Sequence, residues 1–149
     1  MKCYAVIDTN VLVSAAIKPD SVPGTIFRLI LIEQICPVFN SEILEEYKRV
    51  LPRSKFGLSK FTADRIIGTV NYYGTCIESL KIDLKFIDAD DKKFYEAFVS
   101  VKDKRDIYLI TGNTRHFPND ERIVTPRQMT VILKASPGQT EPLDFEKSL

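Results

Sequence analysis

Tyr4-Ala5-Val6-Ile7, followed by Asp8-Thr9-Asn10, is the stretch that decides the fold. Four apolar or aromatic residues in a row read as a strand buried on both faces, as in a parallel sheet. A carboxylate comes next, then two short polar residues that suit a helix start. In open α/β sheets, ligands bind just outside the carboxyl ends of the strands. Asp8 therefore stands where such a fold places an acid meant for chemistry. The alternative is that Asp8 only caps the helix expected over 11–17, and on these residues alone both readings stay open.

A second buried strand, Asp106-Ile107-Tyr108-Leu109-Ile110-Thr111, runs into the polar, turn-rich Gly112-Asn113-Thr114-Arg115-His116-Phe117-Pro118. Between the two strands the apolar periodicity alternates. Ile26, Phe27, Ile30 and Leu31 form a helical face behind a turn at Ser21-Val22-Pro23-Gly24. Ile35 to Phe39 is a short strand in which Pro37 implies an edge or a strand start. Asn40-Ser41 caps a helix over 42–51, with Ile43, Leu44, Tyr47, Val50 and Leu51 inward. A loop over 52–59 leads to a helix over 60–73 with Ile66, Ile67 and Val70 inward, while 76–87 takes no clear assignment. Asp88-Ala89-Asp90-Asp91 opens a helix over 90–101 whose apolar face is Phe94, Tyr95, Phe98 and Val101. Ile123-Val124 is a last short strand. Thr125-Pro126-Arg127-Gln128 then supplies an N-cap, a first-turn Pro and a capping-box partner for a helix reaching about Lys134.

Strands alternating with helices imply a parallel sheet covered on both faces. A central first strand beside the Ile107 strand is then a topological switch point, with Asp8 and 111–113 on one rim and the start of the Asp91 helix within reach. The reading is one α/β domain over 1–134, a three-layer α/β/α arrangement on a mostly parallel sheet, and a loosely packed tail over 135–149.

Composition limits the function. Apolar residues make up 44% of the 149, enough for a core. No apolar run has the length of a membrane span, and Met1-Lys2-Cys3-Tyr4 passes straight into the first strand, so neither an anchor nor a signal peptide is expected. Cys3, Cys36 and Cys76 are widely spaced beside apolar runs and read as reduced core residues of a cytoplasmic protein. With a single histidine, His116, a His-rich metal site is excluded. The formal charge of +1 argues against binding nucleic acid by a large basic surface, though not against local basic patches.

Asp8, Glu46, Asp91 and the polar Asn113 are far apart in the chain, yet this topology can bring them to one edge. Acids in the first turn of a helix gain about 0.3–1 kcal/mol each from its dipole. A further carboxylate nearby adds repulsion that a bound cation offsets better. Hard oxygen ligands without His or Cys suit Mg²⁺ or Mn²⁺, and such a site points to phosphate chemistry.

These residues carry a resemblance. Ile7-Asp8-Thr9-Asn10-Val11-Leu12-Val13-Ser14 resembles the opening of PIN-domain ribonucleases. Ser41-Glu42-Ile43-Leu44-Glu45-Glu46-Tyr47 is similar to that family's second acidic segment. Asp88 to Phe94 and Leu109 to Pro118 are similar to its third and fourth, and Ile123-Val124-Thr125-Pro126 to its closing strand and turn. The likeness runs in order from Cys3 to about Leu133 and is greatest to the PIN toxins of bacterial toxin–antitoxin pairs. It implies a PIN-like fold and a metal-dependent endoribonuclease that cuts single-stranded RNA to 5′-phosphate and 3′-hydroxyl ends. By that resemblance Asp8, Glu46 and Asp91 hold Mg²⁺ or Mn²⁺. Asn113 falls at a fourth catalytic position where many relatives carry Asp, which leaves a second metal open. Thr9 and Thr111 would orient the carboxylates, with Asp88 and Asp90 as spare acids. Lys48, Arg49, Arg53, Lys55, Arg115 and His116 are candidates for contact with the RNA backbone, the alternative for each being an ordinary solvated charge, and His116 reads as a loop hydrogen-bonder and not a general base. A small antitoxin, a homodimer and a cytoplasmic location are also implied. The rival reading is a weakened PIN scaffold that binds RNA or protein. A phosphoacceptor receiver domain fits poorly, because Thr9-Asn10 and Thr125-Pro126 stand where it needs acids and a Lys. A phosphate-loop NTPase fits less well still, as the sequence has no Gly-rich loop ending in Lys-Ser/Thr.

Overall fold

The first strand, β1 (Cys3–Ile7), lies at the centre of a five-stranded, all-parallel sheet. The chain continues through α1 (Thr9–Ile17), α2 (Val22–Leu31), β2 (Ile35–Phe39), α3 (Ser41–Val50), α4 (Lys60–Tyr73) and β3 (Thr75–Cys76). Then come α5 (Lys92–Val101), β4 (Ile107–Ile110), β5 (Ile123–Val124) and α6 (Pro126–Ile132). A computed structural model describes residues 2–85 and 88–134, without the side chain of Ser54. The apolar pair at 86–87 and the tail at 135–149 lie outside the described residues.

The strand order is β3-β2-β1-β4-β5. Ala5 is level with Pro37 on one side and with Tyr108 on the other. β1 is thus the expected switch point, and its carboxyl end opens between β2 and β4. Helix α5 packs on β1, β2 and β4, whereas α2 and α4 pack on β2, with α1 and α6 against α2. Covering both faces removes the need for polar alternation, so β2 is buried at every residue. Among the described residues no helix is long and apolar enough to cross a membrane.

Local chemistry sets the helix starts. Asn40 accepts the Ile43 N–H at 2.8 Å, Ser59 the Thr62 N–H at 3.0 Å, and Thr125 with Gln128 closes the expected capping box. Ser21-Val22-Pro23-Gly24 is the cap and first turn of α2, not a separate turn, because the Ser21 hydroxyl accepts the Gly24 N–H at 3.2 Å. Gly24 is required there: a Cβ would fall 1.9 Å from the Pro19 carbonyl oxygen. Helix α2 ends with Glu33 at φ 61°, its N–H bonded to Ile30 and that of Gln34 to Leu29, a Schellman closure.

Two expectations need correction. β2 is an inner strand, not an edge, since β3 pairs with Val38 and Phe39. Pro37 is tolerated because at its own level β2 is paired only with β1. Cys76 is exposed, not a core residue: it ends a two-residue edge strand with both residues open, while Cys3 and Cys36 are buried. All three thiols are free.

The segment after β3 is held by side chains instead of a ladder. Asn40 Nδ2 donates to Ser79 Oγ at 2.8 Å, the buried Glu96 carboxylate accepts the Ile82 N–H at 2.9 Å, and Ser100 Oγ accepts the Leu80 N–H at 2.9 Å. These partners sit on helices remote in sequence, so periodicity gives no sign of them. The 90–101 helix divides into a 3₁₀ turn over Ala89–Asp91, capped by Asp88, and then α5.

Candidate active site

Asp8 ends β1 and caps α1 at once, so the two readings of this residue are compatible. Its Oδ1 faces the Asn10 N–H at a long 3.5 Å, and its Oδ2 accepts the Thr111 hydroxyl at 2.8 Å. Thr111 follows β4, the neighbour of β1, and its hydroxyl oxygen also accepts the Asn113 N–H at 3.1 Å. One threonine thereby ties the β1 rim to the loop beyond β4.

Asp8 is buried, and burial is the largest cause of a carboxyl pKa raised above the ordinary range. The Thr111 bond, the Asn10 N–H and the His116 imidazole pull it down, while the Glu46 charge pushes it up. Asp91 stands at the last residue of its 3₁₀ turn, before α5. Its carboxyl is raised by burial first and then by the Asp8 charge, against the opposing pull of His116. His116 Nδ1 lies 3.2 Å from Asp91 Oδ2, so the side chain of this turn residue is a hydrogen-bond partner of the acid.

Glu46 projects from the buried side of α3. Its Oε2 accepts the Thr9 hydroxyl, and its Oε1 accepts Lys93 Nζ at 2.6 Å, with both side chains close to fully buried. The next residue, Tyr47, is fully buried and its hydroxyl donates to the Ile7 carbonyl, which fixes α3 against the end of β1. Burial, followed by the charges of Asp8 and Glu46, raises the Tyr47 phenol well above its usual value. It stays neutral and acts as a donor.

The expected residues therefore fall in two connected groups. Asp91, Asp8 and Thr111 with His116 form one, and Glu46 with Thr9 and Lys93 forms the other, joined by the influence of Glu46 on Asp8. Among the described residues no three His, Cys, Asp or Glu side chains lie together closely enough to form a ready-made metal cage. Asn113 is exposed, with its backbone N–H on Thr111, and Asp88 and Asp90 are exposed as well. Thr9 and Thr111 do orient the carboxylates. Lys93 was not anticipated. Its signal was available: it lies four residues before the buried Ala97, on the inner half of α5.

The donor set suits one hard cation. Asp8 and Asp91 are oxygen donors, both are disfavoured in their ionised forms, and among the described residues each has one oxygen not committed to a close internal bond. Beside Glu46 a cleft of about 510 Å³ runs between α3 and α5, lined by Glu45, Arg49, Asp90, Lys92 and Lys93 among others. Arg49, largely exposed, comes within 3.9 Å of Glu46. Lys48, Arg53, Lys55 and Arg115 are exposed.

A family model described as PIN domain matches residues 4–115. An uncharacterized protein of Methanocaldococcus jannaschii is 30% identical over 118 residues, covering 76% of this chain and 72% of its own length. No solved structure gives a significant match. With the switch-point acid and its partners in place, the matched span shows that this chain belongs to the PIN domain family, whose general activity is of the nuclease type and whose members generally use divalent metal ions.

Proposed function

We propose that this chain is a Mg²⁺- or Mn²⁺-dependent endoribonuclease that hydrolyses phosphodiesters of single-stranded RNA. The observation that supports it is a pair of acids each fixed by a hydrogen bond, Asp8 Oδ2 to the Thr111 hydroxyl at 2.8 Å and Asp91 Oδ2 to His116 Nδ1 at 3.2 Å. Asp8 and Asp91 come from distant parts of the chain, both carboxyls are raised, and the Asp8 charge is one cause of the shift at Asp91. Such a pair is stable in ionised form beside added positive charge.

When bound, a divalent ion supplies that charge and makes water beside a phosphate more acidic. Asp8 and Asp91 would hold it, with Glu46 beyond Asp8 and Asn113 adding a neutral amide. Thr111 keeps one oxygen of Asp8 fixed and His116 one oxygen of Asp91, so neither acid must be reorganised during the reaction. Arg49, an exposed cation 3.9 Å from Glu46, would meet an RNA phosphate, with Lys48, Arg53, Lys55, Arg115 and His116 along the approach. The toxin resemblance adds a small antitoxin as partner, a homodimer and a cytoplasmic location to the same proposal.

One pairing favours a second reading, a weakened scaffold that binds RNA or protein. Glu46 already has its cation in Lys93, and Asn113 brings no charge.

Incubating the protein with labelled single-stranded RNA and Mg²⁺ or Mn²⁺, with and without chelator, separates the two. Cleavage that stops on chelation and in Asp8→Asn is expected. Cleavage that survives chelation overturns the metal-dependent reading. Absence of both cleavage and Mn²⁺ binding in a folded protein selects the scaffold.

A further inference from the structure

Lys93 is buried on α5, and its ammonium lies 2.6 Å from Glu46 Oε1. Its other acidic neighbour, Asp90, is 3.8 Å away and open to solvent. Asn40 Nδ2 donates to the Lys93 carbonyl at 3.3 Å, which fixes the start of α5 to the cap of α3. With Thr9 on the second oxygen of Glu46, both oxygens of this carboxylate are engaged inside the chain. A lysine is costly to bury unless it is paired. Here the pair stands beside Asp8, whose carboxyl responds to the Glu46 charge.

We propose that Lys93 is a positioning residue that occupies Glu46 with an internal cation and so confines a divalent ion to Asp8 and Asp91. This rests on the metal-dependent reading above and deepens it. An ammonium and a divalent ion cannot share Glu46 Oε1 without strong repulsion, because the site is desolvated and charges act there over short distances. Lys93 therefore lowers the affinity for the ion and removes Glu46 from the ligands. An otherwise acidic centre is left with two acids, Asp8 and Asp91, to hold the ion.

The test is Mn²⁺ titration calorimetry, with thermal midpoints measured at each Mn²⁺ concentration, on the wild type, Lys93→Gln, Lys93→Met and the double variant Lys93→Gln/Glu46→Gln. Gln keeps a hydrogen-bond donor for Glu46 and Met keeps the length of the side chain, and both remove the charge. Lys93→Gln is expected to bind Mn²⁺ about tenfold or more tightly than the wild type, the scale of one fixed charge removed a few ångströms away. Its midpoint should rise more steeply with Mn²⁺. The double variant should lose that gain. If Lys93→Met is unfolded without metal, because Glu46 is left unpaired, Mn²⁺ is expected to restore it. Equal or weaker binding by Lys93→Gln, while the wild type binds, overturns the proposal and leaves the nuclease reading intact. No Mn²⁺ binding by any of the proteins overturns both. Failure of both single variants to fold at any Mn²⁺ concentration also overturns the proposal, since the ion then cannot replace the ammonium.

Discussion

Thr111 donates its hydroxyl to Asp8 Oδ2 at 2.8 Å across a sequence separation of 103 residues. The bond joins the ends of β1 and β4, the two strands that define the switch point, and fixes the acid on which the proposed chemistry depends. Thr111→Val keeps the branched shape and deletes the donor. It should cost about 1–3 kcal/mol in urea unfolding, because a buried carboxylate oxygen loses its partner. Metal affinity or cleavage should fall about 10–100-fold, as when a residue orienting a metal ligand is lost. Unchanged urea and cleavage curves would show that the bond has no energetic consequence.

Asp8→Asn should have opposite effects on activity and stability. Burial raises the Asp8 carboxyl from its ordinary 3.8, so the fold favours the protonated form. That preference is fully present below the unfolded pKa and is lost as pH rises through the folded pKa. At pH 7 without metal, the ionised carboxyl therefore weakens the fold. Asn caps a helix about as well as Asp and carries no charge. In chelator at pH 7 the variant should melt above the wild type, with the gap narrowing towards pH 4. Cleavage should fall about a hundredfold or more, the scale of losing one group that acts on the transition state. A gap independent of pH would contradict the assignment of strain to the Asp8 charge.

Tyr47→Phe removes the hydroxyl that donates to the Ile7 carbonyl from a fully buried ring. A loss of about 1–3 kcal/mol in chemical denaturation is expected, the cost of an unmet buried acceptor. Because the bond sets α3 against β1, cleavage should drop as well, although Tyr47 touches no substrate. Full stability in the variant would mean that Ile7 finds another donor.

Glu33→Gly addresses the end of α2. Glu33 is exposed and holds φ 61°, a left-handed conformation that costs a side-chain-bearing residue about 1–2 kcal/mol. Glycine removes that strain and gives back about 0.5–1 kcal/mol in chain entropy. A net gain of roughly 0.5–1 kcal/mol should appear in the thermal midpoint with cleavage unchanged. A destabilised variant would show that the Glu33 side chain contributes more than the backbone strain costs.

The sequence by itself determined the parallel α/β fold, the central place of β1, the helix starts at Asn40 and Thr125, and the rim on which Asp8 falls. Each is written locally: an unbroken apolar run, a capping side chain two or three residues from the amide it serves, an acid directly after a strand. The misreadings arose where a local sign met a distant neighbour. Pro37 signals an edge, but a two-residue strand covers only the positions beyond it. Cys76 adjoins an apolar residue, but that strand is too short to bury it. The partners of the acids were decided by tertiary structure alone. Lys93 meets Glu46 over 47 residues, Tyr47 meets Ile7 over 40, and Thr111 meets Asp8 over 103. A lysine on the inner side of a helix has no assigned partner in one dimension. Only the packing of α5 against α3 and the sheet excludes water around its ammonium and leaves Glu46 as the charge that meets it.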